Sequence, residues 1–177
     1  MYSPGEIVVY RHHVCTVVCV REKYFNDRDY LELEALFENA LKLYVVASDA
    51  RPPLVRLPME ASQADELLQS IPGIPAIDEE ELKQRSGTST LLERKMREAY
   101  DARMKSSRPA DLVSIIKTTR KRTARREKAG RSIATLDRRY QDMAMSFLCN
   151  EMCMSLGIDR NLMESMVLER MDAPCSD

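Results

Sequence analysis

Three side chains near the start of the chain, His12, His13 and Cys15, are the first that could do chemistry. An imidazole beside a thiol can act as base and nucleophile, and all three groups ligate metals. A metal site needs three or four convergent donors, however, and successive residues on a strand point to opposite faces. Cys15 shares a face with His13 only while the strand stays regular, and no orienting carboxylate stands at an obvious spacing. No catalytic residue, metal or cofactor is therefore expected, and the His-His pair reads as packing at a turn. Cys149 and Cys153 fall one helical turn apart and read as small packed residues. No Cys-x-x-Cys pair occurs, which excludes a zinc ribbon, and there is no Gly-rich phosphate loop, G-x-S-x-G or H-E-x-x-H.

The stronger signal is electrostatic. Lys117, Arg120, Lys121, Arg122, Arg125, Arg126, Lys128 and Arg131 are eight cations against one acid, Glu127. At 100° per residue they cover most of the circumference of a helix end. The helix macrodipole favours cations only in the last turn, at about 0.3–1 kcal/mol each, and does not account for eight. Arg138 and Arg139 extend the run beyond the next turn. Nucleic-acid phosphate is the preferred partner for such a stripe, and a solvated charged face is the plainer alternative. Aromatics are sparse there and Trp is absent, so base stacking on a single strand has little support.

The net charge of −1 conceals this asymmetry. Residues 1–77 carry a net −4, residues 94–139 a net +11 and residues 140–177 a net −5. Blocks of this kind separate surfaces with different partners.

The elements that must position these groups change character along the chain. Glu6-Ile7-Val8-Val9-Tyr10, residues 14–20, Tyr30-Leu31-Glu32-Leu33-Glu34-Ala35 and Leu41-Lys42-Leu43-Tyr44-Val45-Val46 read as short antiparallel strands. Asn26-Asp27-Arg28-Asp29 reads as a hairpin loop. Four or five such strands predict a small curled sheet of the SH3 or Tudor type. Its Tyr24, Tyr30 and Tyr44 suit either a contact surface or cover for a small core. Residues 64–70 predict a short helix capping the sheet, and Ile71-Pro72-Gly73-Ile74-Pro75 breaks the chain.

Beyond that break the period is helical. Helices are predicted over 90–105, from Pro109 to a stop at Gly130, from Thr135 to Gly157, and after an N-cap at Asp159. The fold class is thus α+β: a β unit over 1–72, a linker over 73–88 and an all-α bundle of about four helices over 89–177. With no apolar run long enough to span a bilayer and no secretory opening, the chain is expected to be cytoplasmic, without membrane contact. Nothing calls for a dimer, and a monomer is expected.

Several motifs resemble those of the CarD/CdnL family of bacterial transcription regulators. Gly5-Glu6-Ile7-Val8-Val9-Tyr10 with His12-His13 resembles that family's "G-D-x-V-V-Y-P-x-H-G" opening. Tyr30-Leu31-x-Leu33 and Leu43-Tyr44-Val45-Val46 are similar to its next strands. Leu112-Val113-Ser114-Ile115-Ile116-Lys117-Thr118, Arg126-Glu127-Lys128-Ala129-Gly130 and Leu156-Gly157-Ile158 resemble its helical motifs in the same order.

The resemblance implies a Tudor-like domain docking on the β subunit of bacterial RNA polymerase, partly by sheet-edge pairing, through Tyr24, Tyr44 and Val45. It also implies a helical domain touching promoter DNA, largely independently of sequence, and stabilising the open complex. Lys117, Arg122 and Arg138 align with basic positions of the family's DNA face, with Arg120 and Arg139 beside them. Many members place a Trp wedge at the start of the first long helix. Here that region reads Leu91-Leu92-Glu93, so Leu91 or Leu92 is the candidate wedge, with simple packing as the alternative. The expected function is non-enzymatic transcription regulation. Two alternatives stay open: a protein-only adaptor whose basic helices meet an acidic protein, and a small enzyme centred on His12, His13 and Cys15.

Overall fold

The computed structural model describes residues 2–174 and has an α+β architecture, an N-terminal sheet followed by helices. The last three positions of the expected helical unit, 175–177, lie outside the described residues.

Five antiparallel strands, β1 (Ile7–Tyr10), β2 (His13–Phe25), β3 (Arg28–Ala35), β4 (Lys42–Val46) and β5 (Val55–Arg56), form one sheet in the order β4-β3-β2-β1-β5. Asn26 and Asp27 form the β2–β3 turn at φ 50° and 55°, the left-handed conformation that Asn and Asp tolerate. The expected loop is therefore shorter than Asn26–Asp29: Arg28 pairs with Phe25 and Asp29 already lies in β3. The β1–β2 turn uses Arg11 and His12 at φ 48° and 70°, so His12 is a turn residue and His13 opens the strand. Val18 lies at a register shift between Val17 and Cys19, a bulge that bends the long strand β2. The alternation puts Val8, Cys15, Val17, Leu31, Leu33 and Val45 into one apolar core.

Six helices follow: α1 (Ala61–Ser70), α2 (Glu79–Gln84), α3 (Ser89–Met104), α4 (Pro109–Lys128), α5 (Thr135–Leu156) and α6 (Arg160–Asp172). Four lie from residue 89 onward and two shorter ones precede them. Helix α1 does not cap the sheet. It packs on α5 and α6, with Leu68 and the following Ile71 inside the helical core, because its apolar stripe fits that bundle. The helical core thus reaches back into 1–72, and Ile77, within the expected linker, is buried in it as well.

Helices α4 and α5 form the spine. Pro109 opens α4, where its missing N–H costs nothing, and the first half of that helix is buried nearly all round. Its second half is charged, and Gly130 at φ 67° ends it, as Gly157 at φ 66° ends α5. The β unit is tied to the bundle by Arg56, which makes a bidentate pair with buried Glu151 at 2.5 and 2.8 Å and donates to the Ser107 carbonyl at 3.3 Å. Glu151 also accepts the Met59 N–H at 2.9 Å.

Candidate nucleic-acid interface and sheet docking face

On the outer face of the sheet the tyrosines do gather. Tyr24 stacks on Tyr44 at 5.0 Å between centroids and meets Tyr30 edge-on at 5.9 Å. Cross-strand geometry explains the meeting: Tyr44 faces Glu32, and Tyr30 faces Arg21 on β2. Tyr24 remains half exposed, with the Arg21 guanidinium 5.7 Å from its ring. Beneath them Glu32 is covered by its neighbours. It accepts from Lys42 at 3.0 Å and from Arg21. These bonds, Arg21 first and then Lys42, hold the Glu32 carboxyl at about 2. Desolvation, and then Tyr24, push the Tyr44 phenol up.

Strand β4 is terminal, and its outer edge pairs with no strand among the described residues. Val45 on it is 4% exposed, with its side chain in the sheet core. Only its backbone is positioned for an edge contact, because the alternation that turns Tyr44 to the outer face turns Val45 inward.

The basic run divides into three groups. Arg122 is buried, its Nε donating to both oxygens of Asp137 at 3.0 and 2.9 Å. Its other nitrogens reach Glu93 at 2.5 Å and Glu79. Burial opposes its charge, but Asp137, joined by Glu79 and Glu93, outweighs that and the net direction is upward. Tyr100 completes the cluster by donating to Asp137 at 2.9 Å. Arg122 is therefore an internal tie between α2, α3, α4 and α5 and is not at the surface for a phosphate. The sequence held a signal for this, since Arg122 falls three residues after Thr119 on the same face as Ile115 and Ile116.

The second group is partly engaged. Lys117 Nζ donates to the carbonyls of Ile71, Pro72 and Ile74 at 2.5, 2.8 and 2.8 Å. Arg120 binds Asp172 at 2.8 Å, Arg125 binds Glu79 at 2.5 Å, and Arg126 donates to the Ser132 carbonyl at 2.8 Å. The third group, Lys121, Lys128, Arg131, Arg138 and Arg139, is exposed and in no ion pair among the described residues. Of the five residues selected from the sequence, Arg138 and Arg139 are open, Arg120 and Lys117 are engaged, and Arg122 is interior.

Leu92 packs against the helical core, while Leu91, beside it, is half-buried in the first turn of α3. His12, His13 and Cys15 do not form a nucleophile pair. His13 Nδ1 lies 3.1 Å from Glu38, and the Cys15 thiol donates to the His13 carbonyl at 3.4 Å. Burial, reinforced by Glu38, pushes that thiol up to about 12. No cluster of three or more metal-ligating side chains occurs among the described residues, and no helix there is long and apolar enough to cross a membrane.

No protein-family model matches this chain, and no curated protein does.

Proposed function

We propose that this chain is a non-enzymatic transcription regulator of the CarD/CdnL kind. In this reading the sheet, as a Tudor-like module, docks on the β subunit of bacterial RNA polymerase. The helical unit meets promoter DNA phosphates and modulates open-complex stability. The carrying observation is the pairing of two different surfaces on one scaffold. A tyrosine-faced sheet with an open edge strand is tied through Arg56 and Glu151 to helices whose Lys121, Lys128, Arg131, Arg138 and Arg139 are exposed and in no ion pair among the described residues. Tyrosine faces and open sheet edges suit protein contact, and unpaired cations suit phosphate. The open cations include Arg138 and Arg139, with Lys121, Lys128 and Arg131 added to them.

The direct test is retention of purified bacterial RNA polymerase by wild type and by Tyr44→Glu. Retention by wild type and loss in the variant is the expected result, and no retention by wild type overturns the docking reading.

One observation favours the protein-only adaptor instead: Arg120, Arg122 and Arg125 already bind carboxylates within the chain. Salt dependence separates the two. Duplex binding through five or so phosphates falls steeply with salt, at a slope of about −0.9 per phosphate. A chain with no measurable duplex binding at low salt would be the adaptor.

A further inference from the structure

The segment expected to be a linker lies along the basic helix. Lys117 holds the carbonyls of Ile71 and Pro72 just before it and of Ile74 within it, and Thr118 Oγ1 accepts the Ile77 N–H at 2.8 Å. Four consecutive carboxylates follow, Asp78, Glu79, Glu80 and Glu81. Glu79 reaches Arg125 at 2.5 Å and Arg122 beside it. The acid run thus stands against the flank of α4 that carries Lys121 and Arg125.

The attachment is firm at one end and loose at the other. Ile77 is buried, but α2 has no buried residue, and Leu82 is its half-buried contact with the core. A cleft of about 520 Å³ opens along this contact, lined by Asp78, Glu79, Glu80, Thr118, Lys121 and Arg125 among others. The N-cap Asp78 and three acids in the first turn also complement the α2 macrodipole, but that need is met by one or two.

We infer that residues 78–81 are an internal anionic competitor for the cations that meet phosphate. Nucleic acid and the acid run are alternative partners of Arg125, which Glu79 holds beside the open Lys121, and that contact inside the chain is autoinhibitory. This rests on the phosphate-contact reading above. Phosphates approaching that flank meet the carboxylates first, and like charges within a Debye length of about 10 Å at 0.1 M salt repel. Loss of the carboxylates therefore strengthens duplex binding, and salt erases the gain.

The experiment measures binding of a labelled duplex by full-length wild type, E79Q/E80Q/E81Q, and the control E22Q/D27N/E34Q. The control removes the same charge from the sheet, where Glu22, Asp27 and Glu34 are exposed. Glu79→Gln keeps an acceptor for Arg122. If that variant fails to fold, E80Q/E81Q serves instead with E22Q/E34Q as its control, since among the described residues Glu80 and Glu81 pair with exposed Lys83 and Arg85. The expected result is a gain of roughly fivefold at low salt for the α2 variant, beyond that of the control, shrinking as salt rises. Equal gains in both variants, or none, overturn the inference while leaving duplex binding intact. Absence of duplex binding by every protein overturns the phosphate reading, and the inference with it.

Discussion

Arg122 and Asp137 face each other in the interior of the helical unit, joined through one guanidinium nitrogen and both carboxylate oxygens, at 3.0 and 2.9 Å. Asp137 has no exposed surface and Arg122 very little. A residue that looks like the centre of a basic stripe is in fact the centre of the bundle. Because Glu79 and Glu93 share the same guanidinium, one side chain ties four helices together.

Removing one partner of such a pair leaves the other charge buried and unmatched. Arg122→Ala is expected to lose about 3–5 kcal/mol of stability, since breaking a buried pair from one side costs on that order. Urea denaturation measures it. A variant as stable as wild type would mean that the carboxylates relax into water.

Surface cations behave oppositely. Arg138→Ala and Arg139→Ala are expected to change stability by less than about 0.5 kcal/mol. Each should also lower the slope of log binding constant against log salt by about 0.9 on duplex DNA. Lys117→Met should instead destabilise, because three carbonyls lose their donor. Titrations at several salt concentrations separate the two behaviours, and an unchanged slope in both surface variants would remove them from the interface.

His12 predicts a pH dependence. Burial first, and then Arg56, lowers its pKa to about 4 against an ordinary 6.5. Glu151, the Arg103 carbonyl and Asp111 act the other way, without reversing it. The unfolded chain therefore binds a proton that the folded chain refuses between these values. Stability is full above about pH 6.5 and falls as pH drops towards 4, by about 3 kcal/mol from this group. His12→Asn, which suits the φ of 70°, should flatten that part of the curve. An equally steep curve in the variant would place the pH dependence elsewhere.

Glu32 acts in a lower window. Its carboxyl is held at about 2 by Arg21 and Lys42, against an ordinary 4.5. Its stabilising contribution is whole above about pH 4.5 and is lost as pH falls through 2. Denaturation midpoints of Glu32→Gln should thus vary less than those of wild type between pH 4.5 and 2. The Tyr24–Tyr44 stack above it gives a second readout, in near-ultraviolet circular dichroism.

Much of this protein was legible in its sequence. Alternation of apolar residues marked the strands, Pro109, Gly130, Gly157 and Asp159 marked helix ends, and the cation run stood out by count. These are local features, set by the period of the backbone and by the conformations that Pro, Gly and Asp accept.

What tertiary structure alone decided is which charges remain free. Charge type is written along the chain, but pairing is set by residues 15 to 52 positions away, as in Arg122 with Glu79, Glu93 and Asp137 or Arg120 with Asp172. The same holds for α1, whose apolar stripe fitted a sheet or a bundle equally well until α5 and α6 were in place. A side chain reports its own chemistry, while its availability depends on what folds against it, and that is a non-local property of the packed chain.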